Sequence, residues 1–172
     1  MNASTPRAAW LGVAVVALLL AGCDAASPEA ASADARASGA KATGSGHFVD
    51  TRVGLPEGDQ YRTFSFNAQE ARNGARGRWN LNARSFPVRL RGDVTCISVD
   101  GNQAWFAGPT TGSDDPAQVG VIRGFHVVDN GEGNGPPDQI SFAVAPGDAQ
   151  LWCDLMLDSA INEVENGNVQ VH

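Results

Sequence analysis

Residues 61–84 read YRTFSFNAQEARNGARGRWNLNAR. In the first run Phe64, Phe66 and Ala68 alternate with Thr63, Ser65 and Asn67. In the second, Trp79, Leu81 and Ala83 alternate with Arg78, Asn80 and Asn82. A period of two marks a strand with one face against a core and the other in water. Asn73-Gly74 lies between the runs and supplies hairpin-turn chemistry. This stretch predicts two paired antiparallel strands.

The pattern extends in both directions. Phe86, Val88 and Leu90 continue it to Arg91. Gly92-Asp93 predicts a kink or bulge, because Ile97 and Val99 then fall on the opposite parity. The sequence VDGN at 99–102 predicts a tight turn with Asp100-Gly101 at its centre, and 103–110 is the returning strand, carrying Trp105. Residues 119–129 (VGVIRGFHVVD) and 139–145 (QISFAVA) predict two more strands, joined through the turn-forming segment 130–138. Residues 148–158 lack alternation and predict a short helix carrying Cys153. With 47–49 as the first strand and 168–172 as the last, the count is about eight. Short strands at regular spacing suggest a barrel or a sandwich. In an up-and-down order of even count the first and last strands are antiparallel, so pairing them removes both exposed edges. The expected fold is all-β, a small antiparallel barrel of about eight strands, with a β-sandwich as the alternative.

The amino terminus has a different character. Residues 8–20 (AAWLGVAVVALLL) form an uncharged apolar run preceded by Arg7. The run is shorter than the ~20 residues that span a bilayer. A basic start, a short apolar stretch and small closing residues are the pattern of a secretory signal. It ends in Leu20-Ala21-Gly22-Cys23, which resembles the lipobox of bacterial lipoproteins. The resemblance implies cleavage before Cys23, a diacylglycerol on its thiol and often a further acyl chain, such as palmitate, on the new amino terminus. Two or more acyl chains give stable anchoring where one does not. The expected organisation is a lipoprotein signal peptide at 1–22, a lipidated cysteine and flexible linker at 23–43, and a β-barrel-like domain at 44–172. The linker contains no large apolar residue with which to offset the entropy of ordering. About 20 residues of this kind reach roughly 25 Å r.m.s.. The expected location is the bacterial cell envelope, facing outside the cytoplasm. Asp24 resembles the inner-membrane retention signal of enteric bacteria; where that rule does not apply, the outer membrane or cell surface is expected.

Lipid on Cys23 leaves Cys96 and Cys153. An even remainder in an oxidising compartment predicts one disulfide, closing a loop of about 57 residues worth roughly 4 kcal/mol in chain-entropy terms. Neither residue sits in a Cys-x-x-Cys or Cys-His spacing of the kind metal sites use.

The chain carries 12 basic and 19 acidic residues. Losing the leader removes Arg7 alone. A net-negative domain is a poor partner for nucleic acid. Eight arginines fall between Arg52 and Arg91, whereas from Asp93 onward Arg123 is the single basic residue against twelve acids. The simpler reading is that the two halves neutralise each other on the folded surface. The alternative is a basic patch facing an anionic ligand.

The phrases GSGHF (44–48), YRTFSFNA (61–68), GDVTCISVDGNQAW (92–105), VVDNGEGNGPPDQIS (127–141) and GNVQVH (167–172) resemble an uncharacterised family of small exported bacterial β domains. The resemblance covers nearly all of 44–172. It implies a self-contained exported β domain and brings no catalytic residues with it.

The remaining chemistry is sparse. Asp129, Asn130, Glu132, Asn134 and Asp138 place oxygens around three glycines, the ligand type calcium prefers. Their spacing departs from the EF-hand pattern, and a structural turn is the favoured reading. His47, His126 and His172 lack the short spacing of a zinc site. Trp79, Trp105 and His126 are candidate pocket residues, with a core role the simpler assignment for the tryptophans. No nucleophile elbow, phosphate loop or dinucleotide fingerprint occurs, so no catalytic residue or cofactor is assigned. The expected function is a membrane-tethered, non-enzymatic binding or interaction domain for a small ligand or an envelope protein. The alternatives are a purely structural envelope protein, or a small enzyme using His126 or a carboxylate at the barrel mouth.

Overall fold

The computed structural model describes residues 39–50, 60–83, 88–157, 159 and 161–172. The leader, Cys23, residues 24–38 of the linker, and Phe86 lie outside them. The described residues form nine strands and one helix. The strands are β1 (Lys41–Val49), β2 (Tyr61–Ala71), β3 (Gly74–Ala83), β4 (Val88–Asp93), β5 (Cys96–Asp100), β6 (Gln103–Ser113), β7 (Ile122–Val128), β8 (Gln139–Ser141) and β9 (Ile161–Val171); the helix is α1 (Ala149–Leu155). Eight strands follow one another as β4-β3-β2-β1-β9-β8-β7-β6, and β4 pairs with β6 to close the ring. All these pairings are antiparallel, and β1 meets β9 from Ala42↔Val171 to Phe48↔Val164. The expected barrel, with its first and last strands joined, is what forms. β5 lies outside the ring and pairs with β6 alone.

The kink expected at Gly92-Asp93 separates β4 from β5. Register against β6 slips between Arg91 and Gly92, and the Val94 and Thr95 N–H groups donate to Gly77 and Ala107 carbonyls. Gly92 is required by close approach: a Cβ there would sit 2.2 Å from Cζ2 of Trp79. The tryptophan ring lies directly on this strand's backbone, and no larger residue leaves it room.

Several boundaries shift. The β2–β3 turn centres on Arg72-Asn73, one residue before the expected Asn73-Gly74, because Ala71 pairs with Gly74. The β5–β6 turn centres on Gly101-Asn102, one residue after the expected Asp100-Gly101. Gly101 has φ +59, which places glycine at the first central position of a hairpin turn. β1 starts at Lys41, so Lys41, Ala42 and Thr43 are strand, paired with Gln69, Ala68 and Asn67, where the sequence suggested linker. Residues 119–121 are not strand; a single 3₁₀ turn at Pro116–Gln118, capped by Asp115, precedes them. β9 begins seven residues before the expected 168, and β8 is only three residues long.

Two apolar layers result. Inside the ring, Phe48, Phe64, Phe66, Phe106, Phe125 and Trp79 follow one another with successive centroid separations of 6.1, 6.1, 4.6, 5.1 and 5.3 Å. Ala42, Val127, Ile140, Val164 and Val169 complete this interior. Outside the wall, Cys96, Trp105, Ala107, Trp152 and Cys153 pack together beneath α1. β6 and β7 are therefore buried on both faces. That explains why AWFAG and GFHVV show no polar alternation.

Candidate functional site

The three candidate pocket residues do not share a site. Trp79 is 1% exposed inside the ring against Phe125. Trp105 and His126 are cross-strand neighbours on the outer wall of β6 and β7, stacked at 4.3 Å and 11°. His126 is buried; Nε2 lies 2.9 Å from Oε1 of Gln103, an amide rather than a carboxylate. Its backbone N–H donates to Oγ of Ser141. This is the setting of a packed structural histidine. Inside the ring, Phe48, Phe64, Phe66, Phe106, Phe125 and Trp79 form a contiguous series of buried rings in the space where a hollow barrel would hold a ligand.

The helix is the outermost element of the second layer. Asp148 caps its first turn by accepting from the Leu151 N–H at 2.7 Å, as an N-cap carboxylate does. Cys153 bonds to Cys96, so the predicted disulfide fastens α1 to β5, the strand outside the ring. Trp152 reaches inward and donates from Nε1 to the Phe125 carbonyl at 3.2 Å. The indole stands over Gly124, where a Cβ would be 2.8 Å from the ring. Trp105 Nε1 donates to the carbonyl of Leu157, tying down the chain after the helix. With Trp152 and Cys153 turned inward, Leu151 and Leu155 share the opposite face at an i, i+4 spacing. Leu151 and Leu155 are each 52% exposed, Leu157 50% and Met156 38%. Among the described residues these four are the exposed large apolar side chains apart from Val119. The short helix carrying Cys153 that the lack of alternation in 148–158 predicts is α1. Its outward leucines have no signal of their own in the sequence, because helix orientation is set by the disulfide and Trp152.

In the oxygen-rich segment 129–138, the Asp129 and Asp138 carboxylates are committed to backbone N–H groups. Asp138 accepts from the Asn130 N–H at 2.8 Å and the Val169 N–H at 2.6 Å. Asp129 accepts from Gly131 at 2.9 Å and Val171 at 3.0 Å. Glu132 accepts from the Asn168 amide, and Asn130 donates to the Pro137 carbonyl. Asn134 is exposed on the loop. β8 covers β9 only at Ile161–Glu163, so farther along β9 these carboxylates stand in for a partner strand. Among the described residues, no three His, Cys, Asp or Glu side chains are grouped to hold a metal ion. His47 lies beside Asn166, at 3.0 Å, while His172 exchanges backbone hydrogen bonds with Lys41 at the opposite end of β1. The two do not converge with His126.

One buried feature has little signal in the sequence. Arg62 shares the inward parity of Phe64 and Phe66, and its Nη2 lies 3.5 Å from Oδ2 of Asp50, with both side chains buried. Parity alone signals it, but Asp50 could not be named as partner from the sequence. Comparison of the chain with protein-family models, curated proteins and solved structures returns no match.

Proposed function

We propose that the chain is a lipid-anchored bacterial envelope protein whose domain binds a partner protein at its outer surface and carries out no catalysis. The observation that carries this reading is the filled barrel. With the interior occupied by the Phe48-to-Trp79 series of rings, binding is left to the exterior. The exterior offers an apolar shelf of Leu151, Leu155, Met156 and Leu157, held rigid by a disulfide. Rigid apolar anchors that need no ordering on binding suit a protein interface. Exposed Asp154 beside the shelf selects a partner whose apolar pocket is edged by lysine or arginine. The anchor rests on Leu20-Ala21-Gly22-Cys23 and on the tether after it.

The two parts are tested separately. Mass spectrometry of the membrane fraction should show an acylated chain beginning at Cys23, and Cys23→Ser should release the chain from membranes. An unmodified Cys23 ends the anchor reading. Photo-crosslinking in the cells of origin should give one discrete adduct from position 155 and none from position 170 on β9. Leu151→Ser should abolish that adduct. Equal adducts from both positions, or none from 155, reject the shelf as the contact.

A further inference from the structure

The outer face of β2, β3 and β4 carries an excess of positive charge that Asp93 and Asp114 offset only in part. Arg76 and Arg78 on β3 and Arg89 and Arg91 on β4 are all exposed. Pairing sets Arg78 opposite Asp93, Arg91 opposite Asn80 and Arg89 opposite Asn82. On the other side of β3, Asn67 opposes Arg78 and Gln69 opposes Arg76. Same-face neighbours along a strand, and diagonal neighbours across a pair, are roughly 7 Å apart. The four guanidinium groups thus root in one patch two strands wide. Asp93 is the acid within these rows, and Asp114 stands at their edge, where its Oδ2 accepts from the Arg89 N–H at 3.4 Å; among the described residues none of the four guanidinium groups forms an ion pair. Arg91 is also seated. A Cβ at Gly112 of β6 would fall 2.2 Å from its Nε, so its guanidinium lies along bare backbone.

We propose that this face binds an anionic polysaccharide whose sugars carry carboxylate groups. Planar guanidinium groups take carboxylates through paired charge-assisted hydrogen bonds. The interleaved Asn67, Asn80 and Asn82 amides offer both donors and acceptors, as sugar hydroxyls require. An anionic membrane surface fits less well: the curved wall of a small barrel meets a plane only along a stripe, whereas a flexible polyanion can follow it. This surface is distinct from the α1 shelf and independent of the lipid anchor.

The test uses the full chain in detergent and polygalacturonate as the probe, by calorimetric titration at low ionic strength. Binding should saturate and weaken as salt shortens the Debye length from roughly 30 Å toward 8 Å. Arg78→Gln with Arg91→Gln should weaken it about tenfold or more. Val119→Glu with Gln170→Glu makes the same change in net charge elsewhere and should leave affinity within about twofold. Gly112→Ala leaves net charge unchanged but lifts Arg91 from its seat, and should weaken binding about threefold. Absence of binding overturns the proposal, as does equal weakening by the two double variants. Binding to phosphatidylglycerol vesicles with none to the polysaccharide overturns it in favour of a membrane surface.

Discussion

Arg62 shows how a single residue can be both legible and opaque in a sequence. Its parity with Phe64 and Phe66 turns it into the barrel, and it is 6% exposed there. A guanidinium in that place requires an answering charge. Asp50, completely buried, supplies it at 3.5 Å, and Nη1 donates to the Tyr61 carbonyl at 3.1 Å. Nothing in residues 50–60 announces that Asp50 turns inward rather than out. Removing one member of a buried pair strands the other charge, at a cost of about 3–5 kcal/mol, whereas replacing both with apolar residues is often neutral or stabilising. Arg62→Met is therefore expected to lower stability by about 3 kcal/mol. Asp50→Leu combined with Arg62→Met should return to within about 1 kcal/mol of the native protein. Urea denaturation of the two single variants and the double closes the cycle. Strict additivity would show that the two side chains are not energetically coupled.

At the level of elements, the loop 129–138 and strand β9 explain each other. The sequence displays a cluster of carboxylates and amides, and it under-reads β9 because polar Asn162, Glu163, Glu165 and Asn166 surround Val164 in its first half, Asn162 being buried with it. Both readings lack the same fact. β8 is too short to pair with the far part of β9, so Val169 and Val171 need acceptors from elsewhere. A carboxylate on a well-fixed loop accepts two N–H groups at once and closes the seam without another strand. The partner of Asp138 is a backbone amide 31 residues away, and no local spacing encodes that. Asp138→Ala leaves two backbone donors without their acceptor and is expected to cost about 3 kcal/mol. Asp129→Ala removes acceptors at a more open position and should cost about 1 kcal/mol. Thermal denaturation ranks the two. Faster hydrogen exchange at the Val169 and Val171 amides in the respective variants identifies the seam as the place where each acts.

For the molecule as a whole, closure was readable because alternation in residues 61–84 and an even strand count leave little other use for the two end strands. The two-layer organisation was not. An outer layer over β6 and β7 hides the polar face that alternation relies on, so Trp105, Ala107 and His126 look in sequence like the interior residues beside them. The same layering makes a prediction about cooperativity. The ring is closed by β1–β9 and β4–β6, and neither pairing involves the disulfide. Cys96–Cys153 instead fastens α1 to β5, the strand outside the ring. Replacing both cysteines by alanine should lower global stability by up to about 4 kcal/mol, since the bond restrains a 57-residue loop of the unfolded chain. Its local effect should be uneven. Trp152 still has its bond to the Phe125 carbonyl, but a seven-residue helix holds few contacts of its own and is marginal without tertiary support. Under native conditions the amides of Ala149–Leu155 should exchange much faster in the double variant than in the disulfide-bonded chain. Those of β1, β2 and β3 should keep their order of protection and fall only by the global loss. Equal acceleration everywhere would mean that barrel and outer layer open as one unit. Selective loss at α1 would mean that the disulfide sets the rigidity of the leucine shelf, and the 155 adduct should then weaken while the barrel stays folded.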